Sequence, residues 1–352
     1  MNKGDIIHGY RILEDFKVAG GFSKITFASK GGKEYFIKEF LAPKYPTPDA
    51  PGSERTKAKK RAECLEFERD QKALNEKLSS RCSTGGNLVI AVDFFREGAT
   101  YYKITEKIDV SSISIEEISN LSPDQILLIC KSVTNSLKIM HDLGIVHGDL
   151  KPDNILIKRT SAGYVGKLID LDDSYFSGKP PKHDLLVGTP EYYSPEQAAY
   201  IMDEDEETSP STLTCKSDIF TLGLIFHEYF TGRKPTYDKK YTSAWSAVAD
   251  GASLNFGVMP EGITRLIRSM VSFKPCDRPS IAEVFSQLRN PNILSSEKTT
   301  AHPASSAAAS ATPSGGSSLR GKGLDIAKST SATDTSSSVG SVLTSILRFG
   351  KK

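Results

Sequence analysis

Asp149, Lys151 and Asn154 lie close together in the run Ile145-Val146-His147-Gly148-Asp149-Leu150-Lys151-Pro152-Asp153-Asn154. A carboxylate, an ammonium and a neutral amide in that order suit phosphoryl transfer. Asp149 can orient an acceptor hydroxyl, Lys151 can neutralise the moving phosphoryl group, and Asn154 can hold a magnesium ion. The apolar pair Ile145-Val146 anchors the loop that carries them.

This loop resembles the catalytic loop of the eukaryotic-like serine/threonine protein kinase family, H-R-D-L-K-x-x-N. Gly148 stands in place of the arginine that family members use to grip a phosphorylated activation loop, so the resemblance implies a kinase without that switch. Further motifs follow in the family's order. Lys167-Leu168-Ile169-Asp170-Leu171-Asp172 resembles the strand end that carries the metal-binding aspartate, which makes Asp170 a magnesium ligand across the nucleotide phosphates. Leu171 replaces the usual phenylalanine, and Asp172 replaces a glycine, restricting the backbone there. Ser194-Pro195-Glu196 resembles the Ala-Pro-Glu that closes the activation segment, with Arg278 as the expected buried partner of Glu196. In the same way, Asp218 is expected to brace the catalytic loop's backbone.

The elements that must position these groups begin near the N-terminus. Lys17 to Ile25 resembles the family's glycine-rich loop with only the middle glycine matched, since Val18 and Ser23 occupy the flanking glycine positions. The Gly20-Gly21 pair still lets backbone N–H groups approach phosphate oxygens, although a Gly-Gly is also a common hairpin turn. The strand Tyr35 to Phe40 resembles V-A-I-K, which makes Lys38 the grip on the α and β phosphates. Phe36 takes the place of the small residue over adenine. Residues 57 to 78 read as a helix with Cys64, Phe67, Leu74 and Leu78 on one stripe. The acid that usually pairs with the lysine is either Glu63 or Asp70. Strands at Leu88 to Phe95 and Tyr101 to Ile108 follow. The resemblance puts Thr105 at the gatekeeper position and the backbones of Glu106 and Ile108 against the adenine edge.

The implied fold is α+β and bilobal, a protein-kinase-like domain over residues 10–290. A small antiparallel β lobe with one main helix (10–108) precedes a larger, mainly α-helical lobe (109–290). The implied cofactors are ATP and Mg2+. Asp149 and Lys151 are the catalytic pair; Gly20, Gly21, Ile25, Lys38, Glu106, Ile108, Asn154, Leu156 and Asp170 contact the nucleotide, with Asn154 and Asp170 also holding metal. Lys151, two residues past the catalytic aspartate, accompanies serine or threonine acceptors in this family, and Thr189 agrees with it. Two other classes are weighed: a pseudokinase scaffold, motivated by Val18, Ser23, Phe36 and Asp172, and a small-molecule phosphotransferase, disfavoured by Ser194-Pro195-Glu196, Asp218 and Arg278.

Composition fits an ordinary soluble domain with a sizeable core, at 38% hydrophobic and 25% charged residues. A net charge of +2 gives no case for nucleic acid. No apolar run is long enough to span a bilayer, and Met1 to Asp5 lacks a signal peptide's apolar core, so a cytoplasmic address is expected. Five scattered cysteines suit reduced thiols. The acidic run Asp203 to Glu207 reads as solvated loop, the alternative being a patch near the substrate groove that attracts a basic partner. Residues 291–352 are rich in Ser, Ala, Thr and Gly and read as a disordered tail. Within it, apolar residues over 339–349 recur at helical spacing, which suggests a short amphipathic helix formed on docking to a partner or a membrane surface.

Overall fold

The computed structural model describes residues 1–19, 23–82, 86–108, 111–161, 163–183, 185–186, 188–203 and 208–295. The Gly20-Gly21 turn, most of the acidic run and the tail from residue 296, with its 339–349 segment, lie outside the described residues; residues 291–295, expected as the start of the tail, are described, and Ile293 is buried in the main core.

The small lobe is built on one antiparallel sheet. Its strands are β1 (Ile6–Ile7), β2 (Tyr10–Ile12), β3 (Lys17–Ala19), β4 (Ser23–Lys30), β5 (Lys33–Phe40), β6 (Ala91–Glu97) and β7 (Thr100–Glu106). The order is β1-β2-β4-β5-β7-β6, with β3 also paired to β4. Strand alternation buries Ile12, Ala28, Ile37 and Ile104 in one small core. In the β5–β7 register Lys38 lies opposite Lys103, and Phe36 opposite Thr105.

Helix α1 (Glu54–Ser79) packs on this sheet, Cys64 and Phe67 against Phe40, Phe94 and Tyr101. It begins three residues earlier than its apolar stripe suggests, because Ser53 caps it by accepting a hydrogen bond from the Thr56 N–H at 3.2 Å. Its buried stripe is Cys64, Gln71, Leu74 and Leu78. The strand expected from Leu88 starts at Ala91; Leu88 instead makes an isolated parallel bridge to Leu168, which ties the two lobes together.

The larger lobe comprises α2 (Ile115–Ser119), α3 (Pro123–Asp142), β8 (Ile145–Val146), the hairpin β9 (Ile155–Thr160) and β10 (Gly163–Leu168), β11 (Tyr175–Phe176), α4 (Pro195–Ile201), α5 (Cys215–Thr231), α6 (Ala244–Ala249), α7 (Glu261–Met270) and α8 (Ile281–Leu288). Helix α3 starts at a capping box between Ser122 and Gln125 with Pro123 in its first turn. Helix α5 is buried on every side from Ser217 to Tyr229. It ends at Gly232, whose φ of 72° suits glycine. Together α3, α5, α7 and α8 enclose the main core. The architecture is the expected bilobal α+β fold. Among the described residues, no helix is long and apolar enough to cross a membrane.

Candidate active site

The loop after β8 carries Asp149, and its backbone is held from below. Asp218, 3% exposed in the first turn of α5, accepts hydrogen bonds from the N–H groups of His147 (2.8 Å) and Gly148 (3.3 Å). It also contacts the His141 ring nitrogen at 2.9 Å. Ser174 and Gln197 donate to the carbonyls of His147 and Gly148. A loop whose backbone is fixed by four hydrogen bonds presents its side chains with little freedom. Asp149 Oδ2 lies 2.7 Å from Lys151 Nζ, and Thr189 donates to Asp149 Oδ1 at 3.0 Å while accepting from Lys151 at 2.8 Å. Asn154 spends its amide N–H on the Asp149 carbonyl (2.8 Å), so its side-chain oxygen is the atom it has for a cation.

Between the lobes lies a cleft of about 310 Å³, within the range of small-molecule sites. Phe27 and Phe36 wall one side as an edge-on pair with ring centroids 6.0 Å apart. Thr105, Glu106 and Ile108 follow along β7 and the chain beyond it, and Lys38 and Asp170 stand at the inner end. Leu156 packs with Ile169, Val89 and Ile108, three residues that line the cleft, and so supports its floor. Ile25 is buried at 1% exposure; on its strand the residue in the cleft wall is Phe27, two positions along the same face.

Lys38 Nζ reaches Asp170 Oδ1 at 2.8 Å and also pairs with Asp172. Lys103 Nζ lies 2.6 Å from Asp172 Oδ1. Burial opposes the charge on Lys38, but the carboxylates of Asp170, Asp172 and Asp173 overcome it and hold the ammonium above its usual range. Burial also opposes ionisation of Asp172, and there the ammonium groups of Lys103 and Lys38 win, holding it below the usual carboxylate range. Asp170 is pushed up by burial, partly offset by Lys38. Burial, then the charge of Asp170, pushes Asp173 up to about 8.

The expected partner for Lys38 on α1 is neither Glu63 nor Asp70. Asp70 is 54% exposed and lies beside Arg69, while the buried polar residue of α1 in the cleft lining is the neutral Gln71, beside Leu74 and Leu78. Elsewhere the expected pair is present: Arg278 grips Glu196 through both terminal nitrogens, at 2.6 and 2.8 Å.

Residues 53–288 match the protein kinase domain family. The chain belongs to that family. Among relatives of this kinase domain, the serine/threonine-protein kinase pkn2 of Myxococcus xanthus is 27% identical over 154 residues, covering 42% of this chain and 17% of the relative. The ovarian-specific serine/threonine-protein kinase Lok of Drosophila melanogaster is 31% identical over 189 residues, 51% of this chain and 38% of the relative. The inactive serine/threonine-protein kinase PLK5 of Mus musculus is 25% identical over 212 residues, 59% and 33%. The matched part of the chain thus spans well under half the length of these relatives.

The kinase-family match begins at Ser53, so Lys38 lies outside it, and its place in the site rests on the β5–β7 register and its contact with Asp170. The residues at the cleft fit a nucleotide with magnesium in the chemistry of their donors: Lys38 offers an ammonium for phosphate and Asp170 a carboxylate oxygen for the cation, side by side in the cleft lining.

Gly148, in this kinase domain, has a structural reason for not being arginine. Its φ is 86°, and a Cβ there would stand 2.2 Å from the Asp173 carbonyl oxygen and 3.3 Å from the Tyr175 ring. Tyr175 itself packs in an apolar cluster with Val146, Leu186, Tyr200 and Leu213, which holds the activation segment by burial. Gly148→Ala is expected to cost at least about 1–2 kcal/mol in urea unfolding, from the left-handed backbone alone. An unchanged unfolding midpoint would show that the loop relaxes freely.

Proposed function

We propose that this protein transfers the γ-phosphoryl group of ATP to serine or threonine hydroxyls of protein substrates. The closed arrangement of Asp149, Lys151 and Thr189 on a braced loop carries this reading. Asp149 would accept the proton of the incoming hydroxyl and aim its oxygen in line with the phosphoryl group; Lys151 would steady the charge on that group. Lys38 would hold the α and β phosphates, with Gly20 and Gly21 over them and Glu106 and Ile108 at the base. Magnesium, when bound, would neutralise charge between the phosphates, and Asn154 and Asp170 are the residues to hold it.

Thr189 hydrogen-bonds both catalytic groups, which supports a hydroxyl acceptor of its own kind rather than a phenol. Phosphoamino-acid analysis of labelled substrate is expected to yield phosphoserine and phosphothreonine; phosphotyrosine alone would contradict the assignment. A cytoplasmic setting belongs to the same proposal, and the five cysteines, all free thiols, accord with it. The tail, from residue 296 outside the described residues, is proposed to dock on a partner or membrane surface.

The second reading is a nucleotide-binding scaffold without turnover. Phe36 in the cleft wall and Asp172 against Lys38 are the observations that favour it. Against it stand the intact Lys38, Asp149, Asn154 and Asp170. Tight Mg·ADP binding without any transfer would select the scaffold.

A further inference from the structure

A buried ammonium needs an anion, and Lys38, 13% exposed at its side chain, does not obtain one from α1. Glu68 is taken by the Tyr101 hydroxyl at 2.9 Å and by Arg96 at 3.5 Å. Gln71 occupies the inward position and carries no charge. Besides Asp170 at 2.8 Å, the carboxylate partner of Lys38 is Asp172, on the short turn that follows Asp170.

Asp172 is held in a closed ring. One carboxylate oxygen meets Lys38 and the other meets Lys103. Gln71 donates its amide to the Asp172 carbonyl at 3.3 Å and accepts from Lys103 at 3.3 Å. Lys38 and Lys103 lie directly opposite one another on β5 and β7. Like charges in that relation repel, so an anion between them is required. The charges in direct contact also balance: two ammonium groups face Asp170 and Asp172. An acid in place of Gln71 would add an unmatched negative charge, which accounts for the neutral residue at that point of the helix.

We propose that Asp172, fixed by Lys103 and Gln71, is the positioning residue that sets Lys38 for the nucleotide, in place of an acid on α1. The proposal rests on the reading of the cleft as an ATP site. Because Asp172 is two residues from Asp170, the same turn then serves the proposed metal ligand and the phosphate-gripping lysine. Helix α1 joins the arrangement only through a neutral amide.

The test uses the full chain and compares the wild type with Asp172→Asn, Lys38→Met and their double variant, with Glu63→Gln and Asp70→Asn as helix controls. Mg·ADP affinity is measured by titration calorimetry, ATP kinetics by initial rates, and stability by urea unfolding. Asp172→Asn is expected to weaken Mg·ADP about tenfold, the equivalent of one charge-assisted hydrogen bond. It is also expected to raise KM for ATP more than it lowers kcat, with the helix controls within about twofold of wild type. In unfolding, the double variant is expected to lose less than the sum of the single losses. Additive losses, an Asp172→Asn variant that keeps wild-type affinity, or a tenfold loss from a helix control would overturn the proposal. A wild type that neither binds Mg·ADP nor transfers phosphate would instead refute the ATP-site reading. The unfolding cycle would then still decide whether Lys38 and Asp172 are paired.

Discussion

Asp149→Ala is expected to lower kcat for phosphoryl transfer roughly 10²- to 10⁴-fold, the range lost with a positioned general base. The KM for ATP is expected to stay within a small factor of wild type, because Asp149 is not among the residues lining the cleft proposed to take the nucleotide. Truncation removes the acceptor of three polar contacts, from Lys151, Thr189 and Asn154. The loop itself should persist, since its backbone hangs on Asp218, Ser174 and Gln197 rather than on the Asp149 side chain. Initial rates at varied ATP separate the two constants. Loss confined to KM would place Asp149 in binding and not in the chemistry.

Arg278→Ala is expected to lower folding stability by about 3–5 kcal/mol, the cost of stripping one partner from a buried ion pair. Arg278 is 2% exposed, and its guanidinium donates to Glu196 twice and to the carbonyls of Ser272, Lys216 and Phe273 at 2.8–2.9 Å. All five of its N–H donors are thereby used. Removal leaves Glu196, 9% exposed at its side chain, with only Ser217 as a polar partner among these contacts. Arg278→Lys keeps the charge but cannot reproduce the fork, so it should recover only part of the loss. Urea unfolding of both variants provides the check, and a loss below about 1 kcal/mol for Arg278→Ala would mean that the buried pair contributes no more than an exposed one.

The loop from Ile145 to Asn154 was legible in the sequence because its chemistry is local: base, cation and amide lie on one short turn, and no distant contact is needed to recognise them. Glu196 and Arg278, far apart in the chain, were also recoverable, since each sits in a short motif of its own. The partner of Lys38 was not, because the family resemblance points to an acid on α1. A signal was nonetheless present. Cys64, Phe67, Gln71, Leu74 and Leu78 recur at spacings of three and four, so position 71 belongs to the stripe that turns inward. Lys103 could have been found as well, since strand alternation puts it on the same face as Tyr101 and Thr105. What no spacing could supply was Asp172, whose role depends on the turn after β10 folding back under β5 and β7. Ile25 and Phe27 illustrate the same limit: they share a face, and only the packed sheet determines which of them reaches the cleft.

The most direct measurement is transfer of γ-labelled phosphate from ATP to a protein acceptor by the full chain, with and without magnesium, alongside Asp170→Asn. Magnesium-dependent label on the acceptor, lost in the variant while its fold is retained, is the predicted result. Label transferred equally well without magnesium or by Asp170→Asn, or a wild type that binds Mg·ADP and transfers nothing, would contradict the account.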